Sequence, residues 1–264
     1  MYKILLVTDQ ADVVRAFDGV AWESLGYRLP RRALNAHDAM ESLKTHHADA
    51  ICYALPEEDE KLLFDYLCRE KPYLPILTAR REPSLMTAAV ERLSALLARL
   101  HADYSNDDFG LKDMLQLCRH DYVRTMLSGT VEDASTIPTE LKMLRSKMDP
   151  SRSCVVFDLS LPKNDNFMSV RWHYGHERLE VALRNFIGAE FDGMRVVCSV
   201  LPDEQIRVLC CPMIGAEVSH SVTAPLTEHV QSAMADIDEY LGIQLSVRSV
   251  QVLPNLLALA KQIA

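Results

Sequence analysis

Four times within the first hundred residues, a stretch of strand length is followed by a stretch of helical period. YKILLVT, residues 2–8, precedes a helical pattern from Ala11 to Leu25 closed by Gly26, and YRLPRR precedes NAHDAMESLKTHH. ADAICYAL then precedes PEEDEKLLFDYLCRE, and YLPILTA precedes a further helix. Glycine just past the last periodic residue is the usual helix stop. Strands that are each followed by a helix pair in parallel, because a parallel crossover needs a dozen or more residues to return the chain to the same end of the sheet. A parallel sheet is in turn buried on both faces. The expected first unit is therefore an α/β domain with a parallel sheet.

From Leu85 to Leu127 the pattern becomes long helix, broken around Ser105–Gly110, where SNDDFG supplies capping residues and a glycine. Leu93, Leu97, Leu100 and Tyr104 step by four, three and four, and Leu111, Leu115, Cys118 and Tyr122 repeat the spacing. Such a seam suits helix pairing across a homodimer, and equally a helix packed on its own domain. After Gly129 come the polar TVEDASTIPTE and the short helix LKMLRSKM, ended by Asp149-Pro150.

The remainder reads CVVFDLSL as strand, RWHYGHERLEVALRNFIGAE as helix, and MRVVCSVL and IRVLCCPM as a hairpin across PDEQ. LTEHVQSAMADIDEYLG follows as helix, IQLSVRSVQV as strand, and a last helix starts at Pro254. The β-α-β-β-α-β order predicts an α+β ferredoxin-like domain, an antiparallel sheet with both helices on one face.

The 264 residues suit two domains, and 48% hydrophobic with 25% charged residues is an ordinary globular balance. A net charge of -9 without a basic cluster argues against direct nucleic-acid binding, since phosphate contacts need grouped Lys and Arg. The seven cysteines are an odd number set mostly in apolar runs, which predicts buried thiols in a reducing cytoplasm. MYKILLVTDQ turns polar too soon for a signal peptide, and no long apolar run predicts a membrane span.

The first domain resembles the receiver domains of two-component response regulators, a flavodoxin-like (CheY-like) fold. In that family acids at the end of the first strand bind magnesium, an aspartate ending the third strand accepts a phosphoryl group, and a Thr or Ser on the fourth strand reads the result. In LLVTDQ only Asp9 remains, beside Thr8; in ADAICYALP the acceptor position is Ala54; in LPILTAR the switch threonine matches Thr78. No strand with the family's Lys-Pro ending follows, so the fifth strand and its lysine are expected to be missing or reshaped. A magnesium site needs several oxygen ligands and phosphoryl transfer needs a nucleophile in line, so this resemblance implies a pseudo-receiver.

The second half is similar to the domain between receiver and helix-turn-helix module in AraC-type response regulators, itself similar to GGDEF diguanylate cyclases. LQLCRHDYVRTMLSG matches the family's helix ending in Leu-x-Gly. Where active cyclases carry Asp-x-Asp, FDLSL keeps Asp158 and has Ser160 in the second place. Leu201, Pro202, Asp203, Glu204 and Gln205 replace the glycine-rich turn, and those glycines are what let a backbone approach a nucleotide. Asp203 and Glu204 read as hairpin-turn residues.

Other constellations read as structural. His173 and His176 share a helical face with Glu177 nearby, but no third ligand stands at metal spacing. Cys210 and Cys211, adjacent on a strand, point to opposite faces. His46-His47 ends a helix, and Glu57, Glu58, Asp59 and Glu60 open one, each suiting the helix dipole. That acidic run lies beside Ala54, where a permanent negative cluster would hold the domain in one signalling state.

The sequence thus divides into a pseudo-receiver over residues 1–84, helical connectors over 85–129, and a GGDEF-like domain over 130–264. The expected function is signal reception and dimerisation in bacterial transcriptional control, with no enzyme activity, metal or cofactor, with a sensor kinase or other protein as partner, and without membrane contact. The resemblance implies DNA binding only through a carboxy-terminal helix-turn-helix pair, which residues up to Ala264 do not include. The rivals are a nucleotide-binding or cyclase-like enzyme with an atypical site and a small-ligand sensor.

Overall fold

The computed structural model describes residues 1–102, 110–161, 172, 174–202, 204–218 and 222–263, with the side chains of 260–263 excepted. Tyr104 and most of the SNDDFG break, His173 and Asp203 lie outside the described residues. The chain forms two compact units, one of Met1–Arg119 with Thr139–Ser146 and one of His120–Pro138 with Lys147–Ala264.

In the first unit β1 (Ile4–Val7), β2 (Arg31–Ala33), β3 (Ala50–Tyr53) and β4 (Ile76–Thr78) form a parallel sheet in the order β2-β1-β3-β4. α1 (Ala11–Asp18), α2 (Ala36–Thr45), α3 (Glu57–Glu70) and α4 (Pro83–Leu100) follow the four strands in turn. Leu5, Val7, Ile51, Tyr53 and Ile76 pack with Leu43 of α2 and Leu63 and Leu67 of α3 on one face. The alternate residues Ile4, Leu6, Cys52 and Leu77 are equally buried, and α1 and α4 contact each other. Both faces are covered, which is why the central strands β1 and β3 read as unbroken apolar runs, whereas the edge strand β2, RRA, does not.

Helix boundaries follow local chemistry. Asn35 caps α2, its side chain accepting the Asp38 amide, and Pro83 opens α4, where its missing N–H costs nothing. α1 is shorter than its pattern suggests: it stops at Gly19 rather than at Leu25. The chain turns back so that Trp22 lies 4.3 Å from Phe17 by ring centroid and 5.4 Å from Tyr27, with its Nε1 donating to the Phe17 carbonyl. Burial of that aromatic trio outweighs the helical period of residues 19–25.

α4 is part of this unit and not a separate connector. Leu93 and Leu97 are fully buried and Leu100 nearly so, and on α5 (Leu111–Leu127) Leu115 and Cys118 are buried as well. The described leucines of the heptad-like seam other than Leu111 are thus buried within the chain, the packing of a helix on its own domain that the spacing equally suits. The hydrophobic residues α5 leaves open are Leu111 and Leu117. The division at 84 and 129 is also displaced, because α5 is shared between the units and residues 139–146 return to the first.

In the second unit β5 (Cys154–Ser160), α7 (Gly175–Ile187), β7 (Met194–Val200), β8 (Ile206–Pro212), α8 (Thr223–Leu241) and β9 (Ser246–Leu253) realise the β-α-β-β-α-β order. The sheet is antiparallel, in the order β6-β7-β8-β5-β9, with β6 (Glu190–Phe191) a short addition at one edge. Leu179, Leu183 and Ile187 of α7 and Leu226, Val230 and Ile237 of α8 join Val155, Phe157, Cys198 and Val208 in one core, so both helices cover the same face. Gly242 ends α8 with φ 64, the left-handed stop that glycine adopts without penalty.

Candidate functional site

Val7, Tyr53 and Thr78 stand in register across β1, β3 and β4, so Asp9, Ala54 and Thr78 gather at the carboxyl ends of three adjacent strands. The strand order reverses between β1 and β3, the place where open α/β sheets leave a crevice for ligands. The local backbone is well held: Thr8 donates its N–H to the Ala33 carbonyl at 3.0 Å, and the Ala54 N–H reaches the Val7 carbonyl at 3.1 Å. Thr8 is buried, its Oγ1 accepting the Gln10 N–H at 3.1 Å, while Asp9 is exposed and Ala54 and Thr78 are half-buried.

The charges around this edge are committed elsewhere. Arg81 pairs with Asp12 at 3.3 Å and donates from Nη2 to Gln10 Oε1 at 3.1 Å, bridging the β4 end to the start of α1. Asp9, two residues past the end of β1, is exposed and forms no ion pair among the described residues. Glu57 and Glu58 are exposed, the solvated helix start expected of them, but Glu60 turns from the acidic run to pair with Lys142 at 2.8 Å.

Lys142 belongs to α6 (Ile137–Met143), whose residues from Thr139 on, with Leu144–Ser146, form a strap on the first unit. Among the described residues no fifth strand joins the sheet, and the strap is tied to Arg80, two residues past β4. Its contacts reach both helical layers. Lys142 Nζ sits 4.6 Å from the Tyr53 ring centroid, and Arg145 lies over Phe64 of α3. Arg80, just after β4, donates to Thr139 Oγ1 at 2.6 Å, and Glu140 pairs with Arg92 of α4 at 2.9 Å. Leu141, Met143 and Leu144 are buried beneath these tethers. The sequence pattern places a short helix at LKMLRSKM, residues 141–148, but the helix runs earlier, Ile137–Met143, and nothing local records that the segment returns to the first unit.

In the second unit Asp158 is engaged on both oxygens. Oδ1 takes Arg207 Nε at 2.8 Å from β8, and Oδ2 accepts the Ser249 hydroxyl at 2.7 Å from β9. Arg207 also donates to the Leu127 carbonyl. Asp158 is therefore tied into the sheet by the residues opposite it on both neighbouring strands. Ser160 pairs with Ser246 at 2.9 Å. β7 and β8 pair as antiparallel neighbours, with the Leu201 N–H on the Gln205 carbonyl and Glu204 at φ 63. A buried carboxylate that sequence reasoning missed is Glu180 on α7, which accepts Arg124 Nη2 and the Val200 N–H, each at 3.1 Å.

His176 and Glu177 are exposed at the start of α7, and the described residues contain no group of three metal-ligating side chains. No described helix is long and apolar enough to cross a membrane. The first unit is a four-stranded parallel α/β fold with Ala54 just past the carboxyl end of β3.

No family model matches the chain, and no curated protein matches it. Among solved structures, a chain of the RcsB response regulator of Salmonella typhimurium, described for conformational dynamism in DNA interaction, is 14% identical. The alignment covers 55% of this chain and 87% of that chain, with a TM-score of 0.27. A likeness of that size carries no argument, and the functional reading rests on this chain's own residues.

Proposed function

We propose that the chain is a regulatory module of the response-regulator kind that works through protein contacts, without phosphoryl transfer and without nucleotide chemistry. The observation that carries this reading is Ala54 at the carboxyl end of β3, beside Asp9 and in the crevice where strand order reverses. A methyl group cannot accept a phosphoryl group, and one free carboxylate falls short of the several oxygens a magnesium site needs. The engagement of Arg81 by Asp12 and Gln10, and of Lys142 by Glu60, supports a pocket held in one state. On the other unit, the saturation of Asp158 by Arg207 and Ser249 supports a structural role for the residue that a cyclase would give to a metal.

The reading extends to a protein partner, such as a sensor kinase or a downstream regulator, and to DNA only through a separate module. Two measurements test it on the same sample. Acetyl phosphate with magnesium should leave the chain unphosphorylated by mass spectrometry, and calorimetry with GTP and magnesium should give no binding heat. A hydroxylamine-labile phosphoryl adduct or saturable GTP binding overturns it.

A further inference from the structure

The seven cysteines are not alike: six are buried, and Cys68 on α3 is exposed. Burial raises the thiols of Cys154 and Cys210 to about 12 and pushes those of Cys52, Cys198 and Cys211 up as well. Such thiols stay protonated and shielded, whereas reactive cysteines sit exposed beside a cation.

Cys68 has such a neighbour. Arg145, from the strap, donates from Nη2 to its sulfur at 3.6 Å while the guanidinium lies 5.5 Å from the Phe64 ring centroid. Arg145 is 8% exposed, its backbone sits at φ 58, and its Nη1 is buried with no hydrogen-bond partner among the described residues. An unused donor on a buried cation is costly, and so is a left-handed backbone at a residue other than glycine. A guanidinium offers parallel donors that match a two-oxygen anion. Here one donor already touches sulfur and its twin is empty.

We propose that Cys68 is an oxidant-responsive modification site, and that Arg145 holds its oxidised form, a sulfinate, so that oxidation fastens the strap to α3. The co-reactant is a hydroperoxide. The thiol gives its proton to solvent and the sulfur attacks the outer peroxide oxygen. The O–O bond breaks, and the leaving alkoxide or hydroxide takes up a proton, so sulfur is oxidised to sulfenic acid as the peroxide is reduced. With the other six thiols buried, no exposed cysteine of the same chain converts the sulfenic acid to a disulfide. A second hydroperoxide transfers a second oxygen in the same manner, and the sulfinic acid loses its proton to become an anion. The two oxygens then accept from Nη1 and Nη2, giving the empty donor its partner.

The test treats the full chain with hydrogen peroxide and reads it by peptide mass spectrometry and hydrogen exchange. Two oxygens should appear on the Cys68 peptide, with the other six cysteines unmodified, and amide exchange over residues 139–146 should slow about tenfold, the effect of one charge-assisted bond. Cys68→Asp, an anion in place without oxidant, should slow the same amides, and Cys68→Ser should not. In Arg145→Gln the oxidised chain should lose that slowing. Oxygen spread over all the cysteines, an intact Cys68, a disulfide-linked pair of chains, or unchanged exchange in both the oxidised chain and Cys68→Asp overturns the proposal. The Cys68→Asp comparison stands even if Arg145→Gln does not fold.

Discussion

Glu180 shows how a single side chain is committed by its surroundings. Its carboxylate is 5% exposed and is held by Arg124, itself 29% exposed, and by the Val200 amide. Removing Arg124 alone leaves a buried charge without its cation, whereas replacing both partners by leucine removes the charge together with its desolvation cost. Arg124→Leu should therefore lower stability by about 3–5 kcal/mol and the Arg124→Leu, Glu180→Leu pair by much less. Urea midpoints of the two variants check this, and equal losses would contradict it. Asp158 teaches the complementary lesson. Its residue type and place on a first strand were legible and suggested a metal-site remnant, but its partners lie 49 and 91 residues further on. A sequence read locally shows the carboxylate without the residues that occupy it. Ala54 needed no partner to be informative, because what alanine cannot do is independent of context.

Among the elements, those whose fate is decided by local pattern were the most legible. The four strands of the first sheet and the β-α-β-β-α-β order of the second unit follow from apolar period and turn residues. The Asn35 cap is of the same kind, and Asn35→Ala should cost about 1 kcal/mol, read as a lower urea midpoint. α1 was overextended because the period of residues 19–25 is helical while Trp22 is drawn back to Phe17 and Tyr27. α6 starts at Ile137, four residues before the helix its sequence pattern suggests. Its Glu140 carboxyl is held above the ordinary 4.5, first by burial, with Arg92 acting against the rise. A folded pKa above the unfolded one means the folded chain keeps this proton longer. The associated stability is fully present below pH 4.5 and is lost as pH rises through the folded value. Glu140→Gln removes that loss, so the wild-type urea midpoint should fall relative to the variant's on going from about pH 4 to 7. A constant difference would show that the carboxyl is unshifted.

For the whole molecule, the sequence supports a linear division into receiver-like, connector and second-domain segments, and the structure divides the chain discontinuously. Composition and periodicity change where one kind of pattern gives way to another, so they mark the polar stretch after Gly129 as a junction. They carry no sign that Thr139–Ser146 belongs with residues 59, 77 and 82 positions earlier. That return has a physical basis in the four-stranded sheet. β4 is its last strand, with no fifth strand among the described residues to satisfy its outer side, and an open parallel edge next to apolar faces invites pairing with other chains. The strap, with Leu141 and Leu144 buried, is tied to the first unit through Lys142 to α3, Glu140 to α4 and Thr139 to Arg80 just past β4. A fragment of residues 1–129, ending where the sequence alone places the junction, should therefore aggregate on refolding, while residues 1–146 should stay soluble at the same concentration. Within the full chain, Leu141→Ala should cost about 2–5 kcal/mol and loosen the first unit in preference to the second. Hydrogen exchange separates the cases: faster exchange confined to β3, β4 and α3 supports the strap as the missing edge, whereas uniform acceleration, or a soluble and folded 1–129 fragment, shows that the sheet closes without it.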